Sequence, residues 1–100
     1  MEKYDVKLSP AAQRDFLGIA EHLDNLPPEE ALQQYDKIIT DAEVLLEAPG
    51  ACPFTRDLQL RLRGYRAYPV GDYLFFFVIS GSTVEIRRIL YSKRRYERLI

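Results

Sequence analysis

The sequence predicts an α+β fold: an N-terminal strand and an antiparallel helical hairpin packed on a small, curved, mostly antiparallel sheet, with a short C-terminal helix. Three observations predict it. Apolar residues recur at helical spacing through the first half of the chain and at a spacing of two through most of the second. Proline or glycine marks most of the changes of period. The chain has 100 residues, 47% of them apolar, enough for one domain (1–100) that folds without a disulfide or a metal.

Each element follows in order. Tyr4, Val6 and Leu8 alternate with Lys3, Asp5 and Lys7, the pattern of a short half-buried strand. Ser9-Pro10 then supplies an N-cap and a proline at the first helical position. Ala12, Phe16, Ile19, Ala20 and Leu23 form the apolar stripe of a helix from residue 10 to 23–25. Pro27-Pro28 resets the chain, and Glu29 and Glu30 suit the first turn of a second helix. Leu32, Tyr35, Ile38, Ile39, Ala42, Leu45 and Leu46 carry that helix to about residue 47, where Pro49-Gly50 ends it. The short connection makes the pair a hairpin.

Residues 49–57 read as a loop. Leu58, Leu60 and Leu62 then alternate with Gln59, Arg61 and Arg63, the period of a strand, up to Gly64. Strands follow at 65–70, 73–79 and 83–91, joined by turns at Gly71-Asp72 and Gly81-Ser82. Residues 73–79, YLFFFVI, are apolar on both faces, so this strand is central and covered on both sides. Ser92 caps a terminal helix over 93–99, which is too small to cover the whole second face; a partner chain would cover the rest. The order is β-α-α-β-β-β-α.

Composition excludes several functions. No apolar run approaches the roughly 20 residues of a membrane helix, and the opening MEKYDVKLS has no apolar stretch of a secretory signal. One cysteine, Cys52, permits no disulfide and suits a cytoplasmic setting. There is no Gly-rich phosphate loop, nucleophile elbow or Cys/His metal spacing, so neither a metal nor a cofactor is implied. His22 reads as a surface or boundary residue, Cys52 as an apolar filler and the aromatic strand as core.

Charge is more informative than its sum of −1. Residues 1–50 carry four basic and eleven acidic side chains, and residues 51–100 ten basic and four acidic. Nine of those ten cations are arginine, the side chain suited to bidentate contacts with phosphate or carboxylate. Arg61 and Arg63 share one strand face by the period of two. Arg66, Arg87, Arg88, Lys93, Arg94, Arg95 and Arg98, with Tyr91 and Tyr96 among them, follow on the later strands and the terminal helix. Gathered on one concave surface, they would suit an RNA backbone or an acidic protein; scattered, they would be a solvated rim paired with Asp72, Glu85 and Glu97.

In order and spacing these segments resemble the RelE/ParE superfamily of bacterial toxin–antitoxin modules. The resemblance runs through YDVKLSPAAQRDFLGIAEHL (4–23), LRGYR (62–66), VGDYLFF (70–76), VEI (84–86) and RILYSKRR (88–95). It implies the same fold and a toxin that arrests growth unless its antitoxin binds it, as in plasmid stabilisation. RelE-like members are ribosome-dependent mRNA endonucleases. On that branch Arg66, Tyr91, Lys93, Arg94, Arg95 and Tyr96 are the catalytic candidates: guanidinium groups stabilise charge on a pentacoordinate phosphate, and tyrosine or lysine handles the 2′-hydroxyl proton. ParE-like members instead inhibit DNA gyrase, and the same residues would then only make contacts. PVGDYLFFF followed by VEI and RILY is closer to ParE, although that branch often has histidine at the position of Tyr91. The low net charge also favours ParE, because a ribosomal site is lined with phosphates. A third class is a non-toxic module that only pairs with an antitoxin. On any of these readings Arg61, Arg63, Arg87, Arg88 and Arg98 form the basic face for target or antitoxin. Operator DNA is reached only through the antitoxin, and the assembly is a homodimer or a heterotetramer with antitoxin.

Overall fold

The computed structural model describes residues 3–92. β1 (Asp5–Leu8) leads into α1 (Pro10–Asp24) and α2 (Pro28–Glu47), then a 3-10 turn (Pro49–Ala51), α3 (Leu58–Leu62), β2 (Arg66–Val70), β3 (Tyr73–Ser80) and β4 (Thr83–Tyr91). The four strands form one sheet in the order β1-β4-β3-β2. β2, β3 and β4 are antiparallel neighbours, while β1 runs parallel to β4.

Ser9 joins β1 to α1. Its N–H donates to Ile86 O at 2.9 Å, which extends the parallel ladder by one bond. Its hydroxyl accepts from Ala12 N at 3.2 Å as an N-cap and donates to Arg87 O at 2.9 Å. The cap and the strand pairing therefore hold α1 against β4. Ala12, Ile19 and Leu23 are buried against Val70, Phe75, Phe77, Val84, Ile86 and Ile89 of the sheet. α2 adds Leu45, while between the helices an apolar cavity of about 370 Å³ remains, lined by residues that include Phe16, Ile38 and Ile39. Among the described residues, no helix is long and apolar enough to cross a membrane.

Both hairpin turns have two residues and place their glycine at φ +60°, which two-residue turns require. Gly71 is the tighter. Its N–H donates to Asp41 Oδ2 at 3.0 Å, and an added Cβ would stand 3.3 Å from Ile38 Cγ1. Gly71→Ala is expected to lose roughly 1–2 kcal/mol from the left-handed backbone alone. Urea unfolding checks this, and a neutral result would mean that the turn relaxes freely.

One element differs from the sequence expectation. Residues 58–62 form helix α3, not a strand, so Arg61 and Arg63 do not share a strand face. Asp57 caps α3, its side chain accepting from Leu60 N at 3.0 Å. Gly64, at φ +82°, ends it, and Tyr65 N donates back to Leu60 O at 3.0 Å. These caps outweigh an alternation only three leucines long. α3 also covers the sheet face opposite the hairpin, where Leu60 and Tyr65 bury Phe76 and Leu90. That cover comes from within the chain. The expected terminal helix lies outside the described residues.

Candidate functional site

The site begins at an irregularity in β4. Phe77 pairs with Ile86 and Phe76 with Arg88, so Arg87 is the extra residue of a β-bulge. The bulge lets Ile86 and Ile89, three residues apart, both face the hairpin, with two arginines between them. Beyond Ile86, β4 has no β1 residue beside it. Asp15 of α1 takes that place: it accepts from Ile89 N at 2.9 Å and from Arg88 Nε and Nη2 at 2.7 and 3.2 Å. Arg87 pairs with Glu85 at 2.7 Å.

Next to the bulge lies Tyr65, which is 4% exposed. The guanidinium carbons of Arg63 and Arg87 stand 5.4 and 5.9 Å from its ring centroid. Gly64 turns the chain out of α3 just before Tyr65, which places Arg63 here rather than beside Arg61. Arg63, Tyr65, Arg87 and Arg88, with Arg14, Ser9, Pro10 and Ala11 at the start of α1, line a cleft of about 430 Å³. A second cleft of about 320 Å³ adjoins it through Arg14 and includes Asp15, His22, Tyr73 and Tyr91. Tyr91 meets Tyr73 edge to face at 6.1 Å. Burial pushes the Tyr73 phenol above its ordinary pKa, and Asp72 and Tyr91 add to the rise.

The structure thus brings together Arg63, Arg87 and Arg88 of the expected basic face. It sets others apart. Arg61 Nε donates to Thr55 O at 3.0 Å, tying α3 to the preceding loop. Arg66 pairs with Phe77 and so lies on the hairpin side of the sheet. Its Nη1 donates to Cys52 O at 2.6 Å and Gly50 O at 3.3 Å, and its guanidinium lies 3.9 Å from the Phe54 ring centroid. Tyr91 pairs with Tyr73, four residues along β3 from the partner of Arg66 and so roughly 13 Å away along the strand. Lys93, Arg94, Arg95, Tyr96 and Arg98 lie outside the described residues. Arg14 was missed because it sits in the acidic half of the chain; its one signal was helical spacing, four residues after Pro10 and next to Asp15.

Cys52 is 3% exposed, and burial pushes its thiol up against an opposing pull from Arg66. A raised folded pKa contributes stability that is complete below the unfolded thiol's value, about 8.5, and is lost as pH rises through the higher folded one. The melting temperature should therefore fall from about pH 8.5 upward, and less steeply in Cys52→Ala. Equal slopes would show that the thiol is not the cause.

Chemically, the first cleft offers guanidinium groups and little else, so it can bind an anion. Among the described residues, no group of three or more His, Cys, Asp and Glu side chains is placed to hold a metal.

Comparison with known proteins agrees with this architecture. A family model described as the ParE toxin of the type II toxin–antitoxin system parDE matches residues 6–96. A chain of the chromosomal ParDE toxin–antitoxin system of P. aeruginosa superposes with a TM-score of 0.69 at 19% identity, covering 90% of this chain and 97% of its own. A chain of the RelBE2 toxin–antitoxin complex of Mycobacterium tuberculosis superposes with a TM-score of 0.55 at 22% identity, covering 91% and 93%. No curated protein sequence matches. At these identities the superpositions speak for the fold, and the family model, which spans nearly the whole chain, speaks for descent. The chain belongs to the ParE toxin family of type II toxin–antitoxin systems.

Proposed function

We propose that this protein arrests growth by binding DNA gyrase, making and breaking no bond itself, until a cognate antitoxin covers it. The observation that carries this reading is how the arginines are engaged. A ribonuclease of this fold needs guanidinium groups turned toward a scissile phosphate. Arg66 instead holds the backbone carbonyls of Gly50 and Cys52, and Arg88 holds Asp15. Opposite the hairpin, beside the residues that α3 buries, Leu74 and Val78 stay partly exposed, with no acid–base group in either side chain. Such a surface is suited to contact. The antitoxin partner is supported by the ParDE and RelBE2 systems to which the structural neighbours belong.

The test is pulse labelling of DNA and protein synthesis in the minutes after tightly induced expression in a bacterial host. DNA synthesis should stop first while translation continues, and the purified protein should inhibit supercoiling by gyrase. If protein synthesis stops first, the ribosome-dependent endonuclease reading replaces this one. Unimpeded growth at high expression of folded protein leaves the non-toxic binding module.

A further inference from the structure

We infer that the cleft between α1 and the β4 bulge is a carboxylate-binding site, formed by Arg14, Arg63, Arg87 and Arg88, which takes an acidic stretch of the antitoxin. The inference rests on the proposed antitoxin partnership, but not on gyrase as the target.

Four guanidinium groups line one cleft of about 430 Å³. Two have carboxylate partners within the chain: Glu85 for Arg87 and Asp15 for Arg88. Arg14 and Arg63 form no ion pair among the described residues. The cleft therefore keeps two positive charges for an incoming ligand. The planar fork of guanidinium matches a carboxylate with two parallel hydrogen bonds, as Asp15 already does on Arg88.

Phosphate has the same appeal to arginine, but two features speak against a nucleic acid. A polynucleotide presents charge along its whole length, whereas among the described residues the positive charge of this cleft comes from four side chains. α1, which forms one wall, and α2 together carry nine acidic and two basic side chains, so a polyanion running past the cleft meets like charge. In addition, Tyr65, the one aromatic ring among the described residues that line the cleft, is buried beneath Arg63 and Arg87. It offers no open face on which a base can stack. A short acidic segment of a protein needs neither a long basic track nor a stacking platform.

The test uses the full chain and a fluorescein-labelled hexaglutamate peptide, with binding followed by anisotropy at low salt. Arg14→Gln and Arg63→Gln should each weaken binding by about tenfold, the order expected for loss of a charge-assisted contact. Arg56→Gln, at an exposed arginine that does not line the cleft, should leave binding unchanged. Circular dichroism verifies that each variant is folded. The proposal is overturned if Arg56→Gln weakens binding as much as Arg63→Gln, because the attraction is then diffuse. It is also overturned if the Arg14→Gln, Arg63→Gln double variant binds like the parent. Tighter, Arg63-dependent binding of a single-stranded DNA hexamer would replace carboxylate with nucleic acid. None of these readouts involves gyrase, so failure of the target reading and failure of this one are distinguishable.

Discussion

Phe76→Ala is expected to cost about 3–5 kcal/mol, at the upper end for a single core truncation. Phe76 has no exposed surface and lies on the sheet face opposite the hairpin, against Leu60, Tyr65 and Leu90. Truncation leaves a cavity that α3 cannot fill without leaving its caps. For a domain with a total stability of about 5–15 kcal/mol, this is at least about a fifth of the margin and at most all of it. The melting midpoint should fall by roughly 12 °C or more. Leu60→Ala, from the other side of the same contact, should cost about 2–5 kcal/mol. Because the two side chains share one cavity, the double variant should lose less than the sum. Asp57→Ala isolates the helix itself, since only a capped helix makes that change cost about 0.5–2 kcal/mol. Urea unfolding measures all four variants. A loss below about 1 kcal/mol for Phe76→Ala would mean that this face is not a second core.

Asp15→Ala should cost about 2–3 kcal/mol, below the 3–5 typical of a fully buried pair because both partners keep some solvent. The side chains of Arg88 and Asp15 are 24% and 16% exposed. Asp15 accepts three hydrogen bonds, two from Arg88 and one from Ile89 N. Without it a partly buried guanidinium loses its counter-charge and a strand N–H loses its acceptor. Asp15→Asn keeps an oxygen for Ile89 N but removes the charge, so it should lose about half as much. This ordering separates the two roles. If asparagine is as damaging as alanine, the ion pair carries the whole effect; if alanine costs under about 0.5 kcal/mol, Asp15 is only a surface charge.

Much of the fold was legible because its signals are local. Ser9-Pro10 and the stripe through Ala12, Ile19 and Leu23 announce α1, and the glycines at 71 and 81 announce two-residue turns. α3 was misread because Leu58, Leu60 and Leu62 fit a period of two over too few residues to refute it. The decisive signals, Asp57 before the first turn and Gly64 after the last, were present in the sequence. The bulge also left a trace: Ile86 and Ile89 are three apart, and two adjacent arginines between core residues break strict alternation.

The sequence by itself determined the elements of the hairpin, the central aromatic strand, the charge division between the halves and the family resemblance, because each depends on near neighbours in the chain. Only the tertiary structure decided which arginines act together. Arg66, expected at the site, is drawn to the carbonyls behind α2 by strand register. Arg14, from the acidic half, joins Arg63, Arg87 and Arg88 because β1 pairs in parallel with β4 and sets the start of α1 beside the bulge. That parallel pairing joins residues nearly eighty positions apart, as between Asp5 and Thr83, and no local periodicity encodes a contact at that range.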